Sequence, residues 1–253
     1  MVGPAVTPNA GITSYHADGT QGPACALACP AGTVYRNYFV GGHGQGGPTG
    51  RQIDLLEDVE VSFGGGRKYW KMRNGYSLPL SSHSISALRA DVDAGKIDVK
   101  SAQDCLRVGV HWDTEVTAGV GDGRPVRLAQ VYCSAVPVGY DNTASRSDWE
   151  PLARLCLNAC YEATLAVATI LARRQNRRIR VFLTKVGGGV FGNSEIWISD
   201  AIRRALGIFQ SERLDVHLVH FRTLEPVYLH EIEPIGMELP LADCVLAQSQ
   251  CQA

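Results

Sequence analysis

The chain has 253 residues, of which 45% are hydrophobic and 19% charged, enough to bury the core of one large α/β domain or two small ones. Its 24 basic and 25 acidic side chains leave a net charge of -1, which excludes a global field that would draw it to nucleic acid or to an anionic membrane. The sequence begins without a basic stretch followed by an apolar run, and we find no run long enough for a transmembrane helix, so we predict a soluble, cytoplasmic protein.

The first half of the chain is rich in turns and predicts short elements. We expect strands where β-branched and aromatic residues cluster, and helices where apolar residues recur every three or four positions. Pro30 is expected to end a helix, and the glycines of 41–48 mark a loop. The predicted elements are a strand over 12–17, a short helix over 24–28, a strand over 33–40, a helix over 52–59, an edge strand over 70–80 and a strand around 106–112.

The second half carries longer patterns. A strand over 126–136 is followed by a helix over 149–174, a strand over 179–186, a helix over 194–209 and a strand over 214–221. Strands that alternate with helices of these lengths indicate parallel crossovers and a sheet covered on both faces. The sequence therefore predicts an α/β fold.

The eight cysteines lie mostly in apolar segments. Cys156 and Cys160 are four residues apart and face one side of the predicted helix over 149–174. A zinc site would need a second close pair of Cys or His side chains nearby. We therefore interpret these cysteines as small buried hydrophobic residues and predict neither a metal nor a cofactor.

One glycine-rich stretch, TKVGGGVFGNSEIW over 184–197, joins a predicted strand to a predicted helix. Glycines at the carboxyl end of a strand let backbone amides turn toward one point, where the helix dipole also attracts an anion. The stretch matches neither the P-loop pattern nor the dinucleotide-binding pattern. Two interpretations stay open: a phosphate-binding loop, or a tight strand-to-helix turn with close packing.

The order of elements over 126–221 and the loop Gly187-Gly-Gly-Val-Phe-Gly-Asn193 resemble the C-terminal half of a macro domain. The resemblance implies a single three-layer α/β/α domain with a mixed sheet, spanning 1–253. Residues 1–125 would be an elaborated N-terminal half, 126–221 the macro-like core, and 222–253 a C-terminal extension.

The resemblance also implies a ligand, ADP-ribose or a related nucleotide, and a set of binding residues. The loop would wrap the diphosphate, Phe191 would lie near the distal ribose, and Phe221 would stack on adenine. The binding residues implied in this way are Gly187, Gly188, Gly189, Val190, Phe191, Gly192, Asn193 and Phe221.

The N-terminal half departs from the macro-domain pattern, which has an Asn-Ala-Ala-Asn stretch before a glycine-rich loop. Two segments are candidates for the same part: one contains Asp18 and Gln21, the other Asn37 and Gln45. Cleavage at the ribose anomeric carbon needs a carboxylate or phosphate that stabilises positive charge and positions a water. We therefore predict Asp18 and Gln21 as catalytic candidates, and Asn37 and Gln45 as residues that orient a ribose or a water.

Three functions remain open on the sequence. The chain binds ADP-ribose and hydrolyses an ADP-ribosyl bond, or it is a non-catalytic reader of ADP-ribose, or it is a structural or interaction protein that retains the fold. Another nucleotide-sugar or phosphate-ester enzyme is a fourth interpretation. The expected partners are ADP-ribose and ADP-ribosylated protein, with no membrane and with nucleic acid disfavoured.

Overall fold

The computed structural model describes residues 26–42, 53–117 and 125–220, together with Ile12 and Tyr15. The helices in these ranges are α1 (Pro30–Tyr38), α2 (Glu57–Ser62), α3 (Ser84–Asp93), α4 (Val99–Gln103), α5 (Arg146–Gln175) and α6 (Glu195–Ile208). The strands are β1 (Trp70–Arg73), β2 (Tyr76–Pro79), β3 (Gly109–Val116), β4 (Val126–Tyr132), β5 (Ile179–Thr184) and β6 (Leu214–Val219). Short 3-10 turns lie at Val40–Gly42, Val138–Tyr140 and Gly189–Phe191. This mixture of helix and strand agrees with the predicted α/β class.

The strands of the described residues pair two by two. β1 pairs with β2 and β3 with β4, both antiparallel, whereas β5 and β6 are parallel. The parallel pair is joined through α6, as the sequence predicts for a β–α–β crossover. In the described ranges β4 pairs with β3 alone, so the other predicted crossover, from β4 through α5 to β5, is not formed there.

Helix α5 begins at a capping box. The Ser145 hydroxyl accepts a hydrogen bond from the Asp148 amide at 3.2 Å, and the Asp148 carboxylate accepts one from the Ser145 amide at 3.0 Å. The helix ends at Asn176, whose left-handed conformation (φ 48°) closes the last turn. These caps extend the predicted helix over 149–174 by three residues at its start and one at its end.

Pro151 lies inside α5 and has no amide hydrogen, so the carbonyl oxygen of Ser147 loses its usual helical donor. The Arg89 guanidinium replaces that donor, with its Nη1 atom 3.1 Å from the Ser147 oxygen. Arg89 comes from α3, so the proline creates a tie between α3 and the first turns of α5.

Helix α5 lies at the centre of the hydrophobic core. It packs against α3, α4, α6 and β5, and one cluster joins its buried side chains to those of the first half. An 18-residue window of α5 has a mean hydropathy of 1.6, so it is apolar and long enough to cross a membrane, contrary to our prediction from the sequence. Because 61% of that window is buried inside the protein, the apolar composition is that of a core helix.

The parallel pair β5–β6 has one covered face in the described part of the protein. Ile179, Val181 and Leu183 are buried, while the alternate residues Arg180 and Phe182 are exposed. Phe182 is 62% exposed. The prediction of a sheet covered on both faces is therefore met on only one face by the described residues.

The helix predicted before Pro30 is present in the described residues, because 26–28 are helical and the helix stops at Cys29. Pro30 also occupies the first turn of the next helix, α1, where its missing amide hydrogen costs nothing and its fixed φ suits a helix. The predicted strand over 33–40 is helical to Tyr38 because tertiary contacts override the β propensity of its residues. Thr33 is buried there, and its hydroxyl donates a hydrogen bond of 2.6 Å to the Ala26 carbonyl.

Two other elements of the first half differ from the prediction. The helix predicted over 52–59 begins only at Glu57, because the Asp54 side chain accepts the Leu56 amide and holds a turn before it. The predicted edge strand over 70–80 is a hairpin. Asn74 and Gly75 both have positive φ, 50° and 80°, as a tight two-residue turn between strands requires.

Candidate functional site

The glycine-rich stretch forms the connection between β5 and α6, and two of its glycines are required by packing. Gly187 has a φ of 87°, and a Cβ atom there would lie 2.5 Å from the Ala135 side chain. Gly192 has a φ of 67°, and a Cβ there would lie 3.1 Å from the Gly139 backbone. The loop 187–192 therefore packs directly against the segment that follows β4. Gly187 and Gly192 are explained by this packing, because a side chain at either position would collide with that segment.

Asn193 fixes the loop from inside. Its side chain is buried, and its Nδ2 atom donates to the carbonyl oxygens of Val136 at 2.9 Å and of Gly187 at 3.0 Å. Its Oδ1 atom is buried and has no hydrogen-bond partner among the described residues. Asn193, predicted to bind the ligand, thus holds the loop with its nitrogen and leaves one acceptor for a donor.

Tyr161 of α5 supports the start of the loop from below. Its hydroxyl donates to the Thr184 carbonyl at 2.8 Å and accepts from the Val186 amide at 3.0 Å. Burial raises the pKa of Tyr161 well above its usual range, so the hydroxyl keeps its proton. The Tyr161 hydroxyl therefore acts as both donor and acceptor at the point where β5 ends and the loop begins.

The middle of the loop is open. Gly188 and Gly189 donate their backbone amides to no acceptor in the described part of the chain. A Cβ on Gly189 would meet nothing within 4 Å, and one on Gly188 would meet only the flexible Lys185 side chain. These two amides are therefore available to an external acceptor.

Three charged side chains surround the loop. Arg146, in the first turn of α5, is exposed, forms no ion pair with a described carboxylate, and places its Nη2 atom 3.9 Å from the position of a Cβ on Gly192. Lys185 pairs with Glu195 at 3.0 Å, so the one carboxylate in the first turn of α6 is balanced. The local field at the loop therefore favours an anion.

Three aromatic rings form a wall beside the loop. The ring centroids of Tyr76, Tyr140 and Phe191 are separated by 5.5 Å (Tyr76–Tyr140), 6.1 Å (Tyr76–Phe191) and 5.6 Å (Tyr140–Phe191). Tyr140 is 39% exposed and Val190, next to Phe191, is 57% exposed. Apolar surface therefore adjoins the open amides, as a ligand with both a charged and an aromatic part requires.

Sequence reasoning missed Tyr76, Tyr140 and Arg146. The sequence did contain a signal for Tyr140 and Arg146. Both lie in the turn-rich segment between the strand over 126–136 and the following helix, and loops that follow strands meet at the ligand-binding edge of an α/β sheet. Tyr76 had none, because its place depends on the packing of the β1–β2 hairpin.

A cavity of about 60 Å³ is bordered among others by Leu56, Ser77, Ser134 and Cys160, and no residue of the loop 187–192 lines it. Nucleotide-sized ligands occupy pockets of roughly 300 Å³ or more. A ligand at the loop would therefore lie across its open outer surface and not inside this cavity. In the described ranges, no three His, Cys, Asp or Glu side chains are grouped so as to hold a metal ion.

The other predicted site residues have different outcomes. Asp18, Gln21, Gln45 and Phe221 lie outside the described residues. Asn37 lies in α1 and is buried, and its side-chain amide donates to the Thr33 carbonyl at 2.9 Å and to the Tyr15 hydroxyl at 3.4 Å. In the structure, its amide nitrogen therefore holds α1 and Tyr15 together.

No protein-family model matches the chain, and a search of curated proteins finds no match to its sequence. The geometry of the loop and of its neighbours is therefore what indicates a function.

Proposed function

We propose that the loop 187–192 binds the diphosphate of ADP-ribose or a related nucleotide, in a protein with a three-layer, macro-domain-like arrangement. The phosphate oxygens would accept the open amides of Gly188 and Gly189, and Arg146 would contribute a positive charge from the side. The aromatic wall would pack against an apolar part of the ligand. The implied partners are free ADP-ribose and ADP-ribosylated protein.

The observation that carries the proposal is the pair of open amides beside an arginine without an ion-pair partner in the described residues. Open backbone amides in a loop that leads into a helix are a common feature of phosphate sites, and α6 follows this loop from Glu195. The Ser194 side chain does not cap α6, which leaves the first amides of that helix without a side-chain acceptor. Two glycines in this loop serve packing and Gly189 has a positive φ of 59°, which favours glycine, whereas Gly188 has neither a positive φ nor a close neighbour other than Lys185.

The test is a calorimetric titration of the protein with ADP-ribose, repeated on Gly188→Glu. The backbone of Gly188 has a φ of -70°, which any residue adopts, so the new side chain needs only a shift of Lys185. Its carboxylate would repel a diphosphate and block the amides, and we expect the affinity to fall by about tenfold or more.

Gly207→Glu is the matched control. Gly207 lies near the end of α6, and a Cβ there meets nothing within 4 Å, so this variant adds the same charge away from the loop. We expect it to bind as the parent protein does. Equal affinity of the parent and Gly188→Glu would show that the ligand does not contact this loop.

A second measurement separates a hydrolase from a reader. Protein carrying labelled ADP-ribose is mixed with the chain at a sub-stoichiometric ratio. Release of label with turnover identifies a hydrolase, and Asp18→Asn then tests the carboxylate predicted from sequence. Saturable binding without release identifies a reader, and a chain that does neither is a structural protein in this respect.

A further inference from the structure

Six arginines lie together at the end of β5 that is opposite the glycine-rich loop. Helix α5 ends there, and the parallel strands β5 and β6 begin there, paired at Ile179 and Leu214. The loop follows the other end of β5, roughly 20 Å away along a strand of six residues. We call this surface the arginine edge, and all of its arginines are exposed: Arg173, Arg174, Arg177, Arg178, Arg180 and Arg213.

Two hydrogen bonds join the parts of the arginine edge. The Arg213 Nη1 atom donates to the Asn176 side-chain oxygen at 3.0 Å, which ties the residue before β6 to the end of α5. The Arg178 Nη1 atom donates to the Leu214 carbonyl oxygen at 2.6 Å, which ties the residue before β5 to the start of β6. Each bond uses one of the five N–H donors of a guanidinium group. These arginines are therefore held in place and can still donate to an external acceptor.

The positive charge of the arginine edge is only partly balanced. Arg173 pairs with Glu212 at 2.6 Å, and Arg180 with Asp215 at 3.5 Å. The other four arginines form no ion pair with a carboxylate of the described residues. The negative end of α5 accounts for the basic residues of its last turn, Arg173 and Arg174, but not for the rest. The net charge of -1 excludes a global positive field, whereas this field is local.

An exposed tryptophan adjoins the arginines. Trp112 of β3 is 42% exposed, and the Arg174 Cζ atom lies 5.2 Å from its ring centroid, within the range of a cation–π contact. An acidic peptide needs only cations from its binding surface. Single-stranded nucleic acid offers both phosphates and flat bases, which bind arginines and aromatic rings respectively. The combination of charge and ring therefore favours nucleic acid over an acidic protein.

We propose that the arginine edge binds single-stranded nucleic acid. Phosphate groups accept hydrogen bonds from Arg177, Arg178 and Arg213, and one base stacks on the exposed part of the Trp112 ring beside Arg174. Contacts of this kind tolerate any base, so the surface selects a strand by its backbone and not by its sequence. This activity goes beyond the proposed function and does not depend on it, because the loop lies at the other end of β5.

The test titrates the full chain into a fluorescent single strand of about 12 nucleotides, made as RNA and as DNA, and measures its anisotropy. Each phosphate contact on a single strand contributes roughly -0.7 to the slope of log affinity against log salt. Three or four contacts should therefore weaken binding about 20- to 50-fold between about 50 and 200 mM salt. Binding of either strand supports the proposal, and absence of binding to both at about 50 mM salt overturns it.

Two kinds of variant separate the charge from the ring. Arg177 donates to its chain neighbours, Gln175 and the Arg178 carbonyl, so Arg177→Ala removes a charge without breaking a link between elements. We expect lower affinity and a salt slope that is shallower by about 0.7. Trp112→Ala should lower the affinity about fivefold or more and leave the slope unchanged, because stacking releases no counterions. Trp112→Phe, which keeps an aromatic ring, should restore most of the loss.

Arg107→Ala is the matched control. Arg107 pairs with Asp58 and Glu57 and borders the same cavity as Val136, whose carbonyl oxygen accepts from Asn193 at the end of the loop. This variant therefore removes the same charge outside the arginine edge and should bind the strand as the parent protein does.

Competition experiments decide which surface and which partner are involved. Saturating ADP-ribose should leave the strand bound, and polyglutamate of equal charge should compete poorly. Displacement by ADP-ribose would place the strand at the loop, and equal competition by polyglutamate would identify an acidic protein as the partner, so either result overturns the proposal. Unchanged binding in both Arg177→Ala and Trp112→Ala also overturns it. A chain that binds the strand but not ADP-ribose would refute the proposed function alone.

Discussion

The described residues of the earlier stretch, 26–42 and 53–117, and those of the later stretch, 125–220, differ in how their elements are held. In 125–220 a single helix runs for 30 residues and a β–α–β unit follows it. In 26–42 and 53–117 the longest helix has 10 residues, and it lies among turns and a hairpin. Yet both stretches contribute to one hydrophobic cluster around α5. The later stretch therefore supplies the scaffold, and the earlier one covers its sides.

The largest effect should follow from a cavity in that scaffold. Ile198 of α6 is completely buried in the shared cluster, and Ile198→Ala removes three carbons from it. We expect a loss of about 2–4 kcal/mol in the free energy of unfolding, measured by urea denaturation. Because the cluster is shared, the fluorescence of Trp70 and of Trp149 should report one common transition.

Ile196→Ala is the control on the same helix. Ile196 is 60% exposed, and its truncation should change the free energy of unfolding by no more than about 0.5 kcal/mol. Separate transitions for the two stretches in the Ile198→Ala protein would show that they fold independently, and the scaffold description would then be wrong.

A smaller effect is expected at the junction between scaffold and loop. Tyr161→Phe keeps the ring but removes the hydroxyl that serves the Thr184 carbonyl and the Val186 amide. Leaving these groups without partners should cost about 1–3 kcal/mol in the free energy of unfolding. It should also weaken ADP-ribose binding, since the loop loses its support.

Tyr35→Phe is the matched change in the earlier stretch. Tyr35 is 51% exposed, and its ring, which lies edge-on to His111, is retained. We expect stability and binding close to those of the parent protein. If Tyr161→Phe behaved in the same way, the hydroxyl would not support the loop.

The smallest effect should come from the caps of the two long helices. Ser145 caps α5 through its hydroxyl, whereas Ser194 precedes α6 without a side-chain hydrogen bond. Ser145→Ala should lower the free energy of unfolding by about 1 kcal/mol and Ser194→Ala by only a few tenths. Thermal unfolding of both variants beside the parent measures the difference.

The effect of Ser145→Ala should also depend on pH. Hydrogen bonds with Ser145 lower the pKa of Asp148 in the folded protein. A lowered carboxyl pKa contributes stability above the unfolded value, about 3.9, and that contribution disappears as the pH falls through the folded pKa. The difference in the free energy of unfolding between the parent protein and Ser145→Ala should therefore be larger at neutral pH than at pH 3. A difference that grows on acidification would contradict the capping box.

The scaffold could be predicted because its signals are long or local. The apolar stripe of α5 predicts that helix, and the four glycines locate the loop. The pairing of β4 with β3 could not be predicted, because short strands carry no information about their partners. The helix before Pro30 could be predicted, but the second helix that Pro30 begins could not, because contacts such as that of the buried Thr33 override the β propensity of 33–40.

The site was predictable only where one segment forms it. Gly188 and Gly189 lie in a single recognisable loop, but Tyr76 and Tyr140 reach it from elements that meet only after folding. The turn-rich segment that contains Tyr140 and Arg146 indicates an edge of the sheet, but only the structure shows Arg146 beside Gly192.

The contact between Gly139 and Gly192 has a consequence for natural sequence variation. A Cβ atom on Gly139 would lie 2.7 Å from the Val190 carbonyl oxygen, so neither turn tolerates a larger residue while the other keeps its shape. Positions 139 and 192 are therefore expected to co-vary among descendants of this chain. A lineage that gains a side chain at 139 will also remodel the β5–α6 connection, and with it whatever that connection recognises.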